Sequence, residues 1–83
     1  MAGQKSVRVE YFAALREATG VREEAIRSAA ETAADLYAEV AAAHGFRFDR
    51  SSLGVAVNDA IAPWTTRLRD GDRVAFLTPF AGG

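Results

Sequence analysis

The chain has no cysteine, one histidine and two prolines among its 83 residues. The missing thiol excludes disulfides, thiolate metal sites and any mechanism in which a cysteine of this chain is the nucleophile or sulfur carrier. With His44 as the sole imidazole there is no usual nucleophile and base pair, so the isolated chain is expected to turn nothing over. Neither G-x-G-x-x-G nor G-x-x-x-x-G-K-[ST] occurs, so no glycine loop cradles a phosphate. A formal net charge of −1 and the lack of any Lys or Arg run remove the electrostatic footprint of a nucleic-acid or anionic-membrane binder. The opening "MAGQKSVRVEYF" holds no apolar leader core, and the apolar "VAAA" near residue 40 is far below the roughly 20 residues that span a bilayer. A cytoplasmic location is therefore expected.

A hydrophobic share of 49% and a charged share of 25% are those of an ordinary folded domain. A chain of this length forms one domain and buries roughly 60–65% of its unfolded surface. In "SVRVEYF", Val7, Val9 and Tyr11 alternate with Arg8, Glu10 and Phe12, the period-2 pattern of a half-buried strand. "AALREATG" predicts about two turns of helix stopped by Gly20. "EEAIRS" is a weaker strand, with only Ile26 and Ala25 offering a buried side. Thr32 and Asp35 form a capping-box pair, and Ala33, Leu36, Val40 and Ala43 recur at helical spacing up to Gly45. "LGVAVNDAIAPW" reads as a hairpin turning at Asn58-Asp59, with Pro63 confining its second strand to an edge or cutting it short. Asp70-Gly71 turns the chain into a last strand in which Val74 and Phe76 face one way and Ala75 and Leu77 the other.

The order strand, short helix, strand, long helix and three strands suits one mixed sheet covered on one face by the long helix. The first and last strands can then lie side by side in its middle. That is an α+β, β-grasp (ubiquitin-like) plan over residues 1–78, followed by a tail at 79–83 that ends in Gly82-Gly83. Parity puts Phe12, Ala75 and Leu77 on the uncovered face, where an apolar patch marks a protein interface that Phe80 extends. Asp70 and Asp72 have no further ligands at metal-binding spacing and read as a turn. His44 reads as a cation or hydrogen-bond donor at a helix C-terminus, and Trp64 as a cover for the sheet edge. Arg67, Arg69 and Arg73 are candidates for steering toward an acidic groove.

The segments "VEYFAALREATG", "TAADLYAEVAAAHG" and "VAVNDAIAPWTTRLRDGDRVAFLTPFAGG" resemble the small subunits of molybdopterin synthase over nearly the whole chain. The specific parts are "VN" before the hairpin turn, "L-x-DGD-x-VAF" into the last strand and the terminal "P-x-AGG"; Val21 to Ser28 carries little of the likeness. Thr78 stands where relatives often have a second proline. The resemblance implies a sulfur carrier that binds no cofactor itself. An adenylyltransferase of the E1 type uses ATP to adenylate the carboxylate of Gly83, next to Gly82, and a sulfurtransferase supplies sulfur for the thiocarboxylate. The large synthase subunit then receives the tail, with Pro79, Phe80 and Ala81 along the way and Arg16 of the matching "ALRE" beside it. Sulfur passes to cyclic pyranopterin monophosphate, in an assembly of two small and two large subunits. Sulfur carriers for thiazole or cysteine synthesis, and ubiquitin-like modifiers, share the terminal glycines and remain alternatives at this point.

The chemistry suits such a tail. A free α-carboxyl, with a pKa near roughly 3.5, is an anion and a poor electrophile until adenylation gives it a leaving group. Glycine removes every Cβ near the reacting carbon, and five extended residues reach roughly 17 Å into a partner.

Overall fold

The computed structural model describes residues 3–78; the tail assigned from sequence to 79–83 lies outside the described residues. Alternation in the first segment becomes β1 (Lys5–Tyr11), whose Val7, Val9 and Tyr11 are buried. α1 (Ala13–Thr19) follows at once and ends on Gly20, whose φ of 80° and N–H bond to the Arg16 carbonyl make a left-handed cap. β2 (Glu23–Ser28) returns antiparallel to β1, with Ile26 opposite Val7 and Glu24 opposite Val9. The weakly patterned "EEAIRS" is thus a full strand, stabilised by its partner rather than by its own apolar content.

α2 (Ala33–His44) begins with the expected capping box between Thr32 and Asp35 and stops at Gly45 with φ 75°. Its buried stripe is Ala33, Leu36, Tyr37 and Val40; Ala43, expected in that stripe, is exposed. At 100° per residue, Tyr37 pulls the centre of the buried face toward residue 44 and leaves position 43 on its flank. His44 occupies the inward place, stacking on Phe46 at 5.6 to 6.3 Å from the Tyr11 and Phe46 ring centres respectively.

After a single 3-10 turn (Arg50–Ser52), β3 (Gly54–Val57) and β4 (Ala60–Ala62) form the hairpin, turning at Asn58 and Asp59 with φ 53° and 74°. Two positive φ values are the signature of the tight turn that matches strand twist. β4 is an edge strand that stops before Pro63. Trp64 then covers this side of the core, stacked 5.9 Å from the Phe76 ring with the Arg50 guanidinium 5.5 Å from its own.

β5 (Arg73–Leu77) enters the centre of the sheet, parallel to β1 and antiparallel to β3, giving the order β2-β1-β5-β3-β4. This is the β-grasp expected from the sequence. The preceding turn uses its carboxylates on its own backbone and neighbours. Asp72 is buried, accepting from the Arg69 N–H at 2.8 Å and the Asn58 amide at 2.9 Å, while Asp70 accepts from the Ser6 N–H at 2.7 Å. Those bonds fix where β5 starts, and therefore where it ends.

Candidate functional site

Among the described residues α2 covers one face of the sheet, and strand parity decides what the other face presents. Across the strands, Glu10 of β1, Ala75 of β5, Ala56 of β3 and Ile61 of β4 share one register row. In the next row Leu77 sits opposite Gly54. Ala75, Ala56 and Gly54 are small, so the middle of this face is flat and low. Ile61 stands up from its rim, 76% exposed, and Phe12, one residue beyond β1, is 44% exposed. Both are large apolar side chains left in water: Phe12 lies level with the end of β5, and Ile61 two residues back, in the Ala75 row.

Ala75 and Leu77 are half-buried, drier than parity alone suggests, because β1 and β3 flank β5 on both sides. Ile61 was not legible as part of this face from alternation. β4 is three residues long, too short to show a period, and the pairing of Ile61 with Ala56 reveals its side. A register count back from the Asn58-Asp59 turn would have found it.

α1 sets the edge of the patch. Leu15 is completely buried and anchors the helix, while the Phe12 carbonyl accepts the N–H groups of Leu15 and Arg16 at 3.0 and 3.3 Å. Ala13 pivots between strand and helix with φ 49°, a conformation costing an L-residue roughly 1–2 kcal/mol that the burial of Leu15 offsets. This sharp entry turns Phe12 outward. Arg16 lies beside it, lining a shallow depression of about 300 Å³ with Glu10, Tyr11, Phe12, Arg22 and Glu23. Of the arginines proposed for steering, Arg73 pairs with Asp59 and Arg67 lies 3.8 Å from Glu31, both across exposed contacts. Pro79, Phe80, Ala81, Gly82 and Gly83, the remaining site residues inferred from sequence, lie outside the described residues.

Beneath Phe12, on the covered face, one carboxylate oxygen ties three elements together. Glu24 Oε2 accepts from the Tyr11 hydroxyl at 2.6 Å and lies 2.6 Å from His44 Nε2. His44 is thus the hydrogen-bond donor expected near the helix end, with β2 supplying its partner. Desolvation, then the Glu24 hydrogen bond and charge, pushes the Tyr11 phenol far above its ordinary value. Desolvation also presses the Glu24 carboxyl upward, but the hydrogen bonds of Tyr11 and His44 and the imidazole charge outweigh it, and the net shift is downward.

A carboxyl held below its unfolded value contributes stability that is complete above that value and is lost as pH falls through the folded one. For Glu24 the loss begins below its ordinary 4.5. Tyr11, shifted upward, contributes below its ordinary 10.0 and loses that contribution as pH rises past it. Urea midpoints measured across pH should therefore fall at both extremes, and Glu24→Gln should flatten the acid limb. An unchanged acid limb in that variant would show that this bonded carboxylate does not set it.

Comparisons with known proteins agree with this geometry. Residues 9–83 match the model of the ThiS family. A Pyrococcus furiosus protein described as a molybdopterin converting factor subunit 1 superposes with a TM-score of 0.75 at 30% identity, covering 92% of this chain and 99% of its own. A chain of the complex of subunits 1 and 2 of the molybdopterin-converting factor from Helicobacter pylori gives a TM-score of 0.65 at 25% identity, over 94% of this chain and 99% of its own. SAMP1 of Haloferax volcanii gives 0.75 at 24% identity over the same shares, a likeness of fold.

Proposed function

The chain belongs to the ThiS family of β-grasp, ubiquitin-fold sulfur carriers, and from that premise we propose that it is the sulfur-donating small subunit of a molybdopterin synthase. The supporting observation is the apolar outer face on which Phe12 and Leu77 stand where β5 hands over to "TPFAGG", with Ile61 two residues back on the same face. A body that docks through this face delivers its tail to whatever the partner encloses. The likeness to a chain seen in a complex of subunits 1 and 2 supports a large subunit as that partner. α1 between β1 and β2 also favours this pathway over thiazole carriers, which usually turn directly from the first strand into the second.

In the proposed reaction a carboxylate oxygen of Gly83 attacks the α-phosphate of ATP on an E1-type enzyme and pyrophosphate leaves. The terminal sulfur of a sulfurtransferase persulfide then attacks the acyl carbon, the C–S bond forming as the C–O bond to AMP breaks, and a thiol reductant cleaves the remaining S–S bond to free the thiocarboxylate. The resulting thiocarboxylate is a soft nucleophile. In the large subunit its sulfur bonds to a carbon of cyclic pyranopterin monophosphate as an oxygen leaving group departs, and water then cleaves the thioester so formed, leaving the sulfur on the pterin and the carboxylate on Gly83. The chain itself binds no cofactor in this scheme, and its Gly82-Gly83 end passes a narrow channel because no Cβ obstructs it.

Intact-mass measurement after incubation with ATP, a sulfur source and the activating enzyme tests this reading. Exchange of one oxygen for sulfur, mapped to Gly83, is expected. An adenylated chain that never acquires sulfur, and instead appears joined to lysines of other proteins, would favour a modifier.

A further inference from the structure

An activated C-terminus is a hazard to the chain that carries it, because any nearby amine or thiol can discharge it. Nine of the ten basic residues here are arginine, and Lys5 is the single lysine; cysteine is absent. A guanidinium stays protonated and does not attack acyl groups, so the arginines supply positive charge without nucleophilicity. Lys5 itself is tethered at the far end of the sheet. Its Nζ donates to the Ala30 carbonyl at 2.8 Å, half-buried between the start of β1 and the segment leading into α2.

Parallel pairing of β1 with β5 puts Tyr11 opposite Phe76, so the last residue of β5 lies at the pole of the sheet opposite Lys5. The separation along the strands is about 23 Å at roughly 3.3 Å per residue. The segment from Thr78 to Gly83 extends at most about 20–22 Å, and Lys5 shares the parity of Val7, on the face that α2 covers. A tail folded straight back along the sheet is fully stretched just short of the Lys5 backbone, and the two ends meet only if the Lys5 ammonium leaves the Ala30 carbonyl and turns toward it.

We propose that this chain is a one-way acyl donor: its arginine-for-lysine surface and the remote, tethered Lys5 prevent the activated Gly83 from acylating its own chain or building chains of itself. The inference rests on the reading that Gly83 is activated, and it extends that reading to what the chain excludes as an acceptor. In the excluded step the ε-amine nitrogen bonds to the acyl carbon, the bond to the leaving group breaks, and the nitrogen's proton passes to the departing group or to solvent.

The test uses the full chain carrying a C-terminal thioester made by intein cleavage, so that no activating enzyme is needed and failure of enzymatic adenylation is read separately, by ATP–pyrophosphate exchange. With its α-amine blocked by acetylation, the wild-type thioester is expected to decay at mildly alkaline pH to the free acid alone. Arg22, which lines the depression beside Phe12, bonds through its carbonyl to the Tyr11 N–H at 2.8 Å, close to the end of β5. Arg22→Lys should therefore raise the cyclised product, one water lighter than the acid, about tenfold or more, since a short tether gives millimolar effective concentrations. Cyclic or dimeric wild-type product linked through Lys5, removed by Lys5→Arg and as abundant as in Arg22→Lys, would overturn the proposal. So would an Arg22→Lys thioester that also decays only by hydrolysis.

Discussion

Deletion of Gly83 is expected to abolish thiocarboxylate formation and pterin conversion completely while leaving the unfolding curve unchanged. The two halves of this expectation have separate physical grounds. The buried cluster runs from Val7 to Phe76 and the last strand ends at Leu77, so removing residue 83 takes nothing from it among the described residues. The chemistry, in contrast, needs an acyl carbon at a set distance from the docked body. One residue less withdraws it by about 3.5 Å, and a misplacement of even ~1 Å can cost ~100-fold in rate. The new terminus also changes from Gly83 to Gly82, with Ala81 and its methyl group one place nearer the reacting carbon. Loss of folding on this deletion would contradict the placement of the tail outside the core, and retained sulfur transfer would contradict the role of Gly83.

The second large effect is expected at the docking face. Ile61→Asp should weaken binding to the large subunit by about 2–4 kcal/mol, roughly 30- to 1,000-fold in Kd, because a carboxylate would be pressed into an apolar contact without a partner. Stability of the free chain should change by about 0.5 kcal/mol or less, since Ile61 is already 76% exposed. Leu77→Ser combined with Phe80→Ser should weaken the same complex, and calorimetry with the purified large subunit measures both variants. Unchanged affinity in the two would place the interface elsewhere on the molecule.

Much of this fold was legible because its central strands alternate strongly. Val7, Val9 and Tyr11 on β1 and Val74 and Phe76 on β5 announce their faces, and the caps at Thr32, Gly20 and Gly45 mark the helix ends by backbone chemistry. β2 was faint because its inward side carries Glu24 and Ser28, polar groups satisfied by tertiary bonds: Ser28 Oγ donates to Glu39, and Glu24 joins Tyr11 and His44. Such pairs have no signature in a local window. Ala43 was misplaced because a stripe drawn from aliphatics alone passes over Tyr37, whose ring meets Phe46, Trp64 and Phe76 and whose hydroxyl donates to the Phe48 carbonyl. Within the candidate site, Phe12 and Leu77 followed from parity, while Ile61 needed the hairpin register. The left-handed turn at Ala13 that directs Phe12 outward gave no signal, because alanine does not favour that conformation.

The chemical identity of the last carbonyl group is the center of the functional reading, and a semisynthetic pair addresses it without altering any side chain. The chain is prepared once with a free carboxylate at Gly83 and once with an amide there, and each is supplied to the activating enzyme, the sulfur source and the large subunit. The acid is expected to support pterin conversion, and the amide to bind the large subunit with similar affinity yet support none. Equal conversion by the two would contradict the role assigned to the carboxylate.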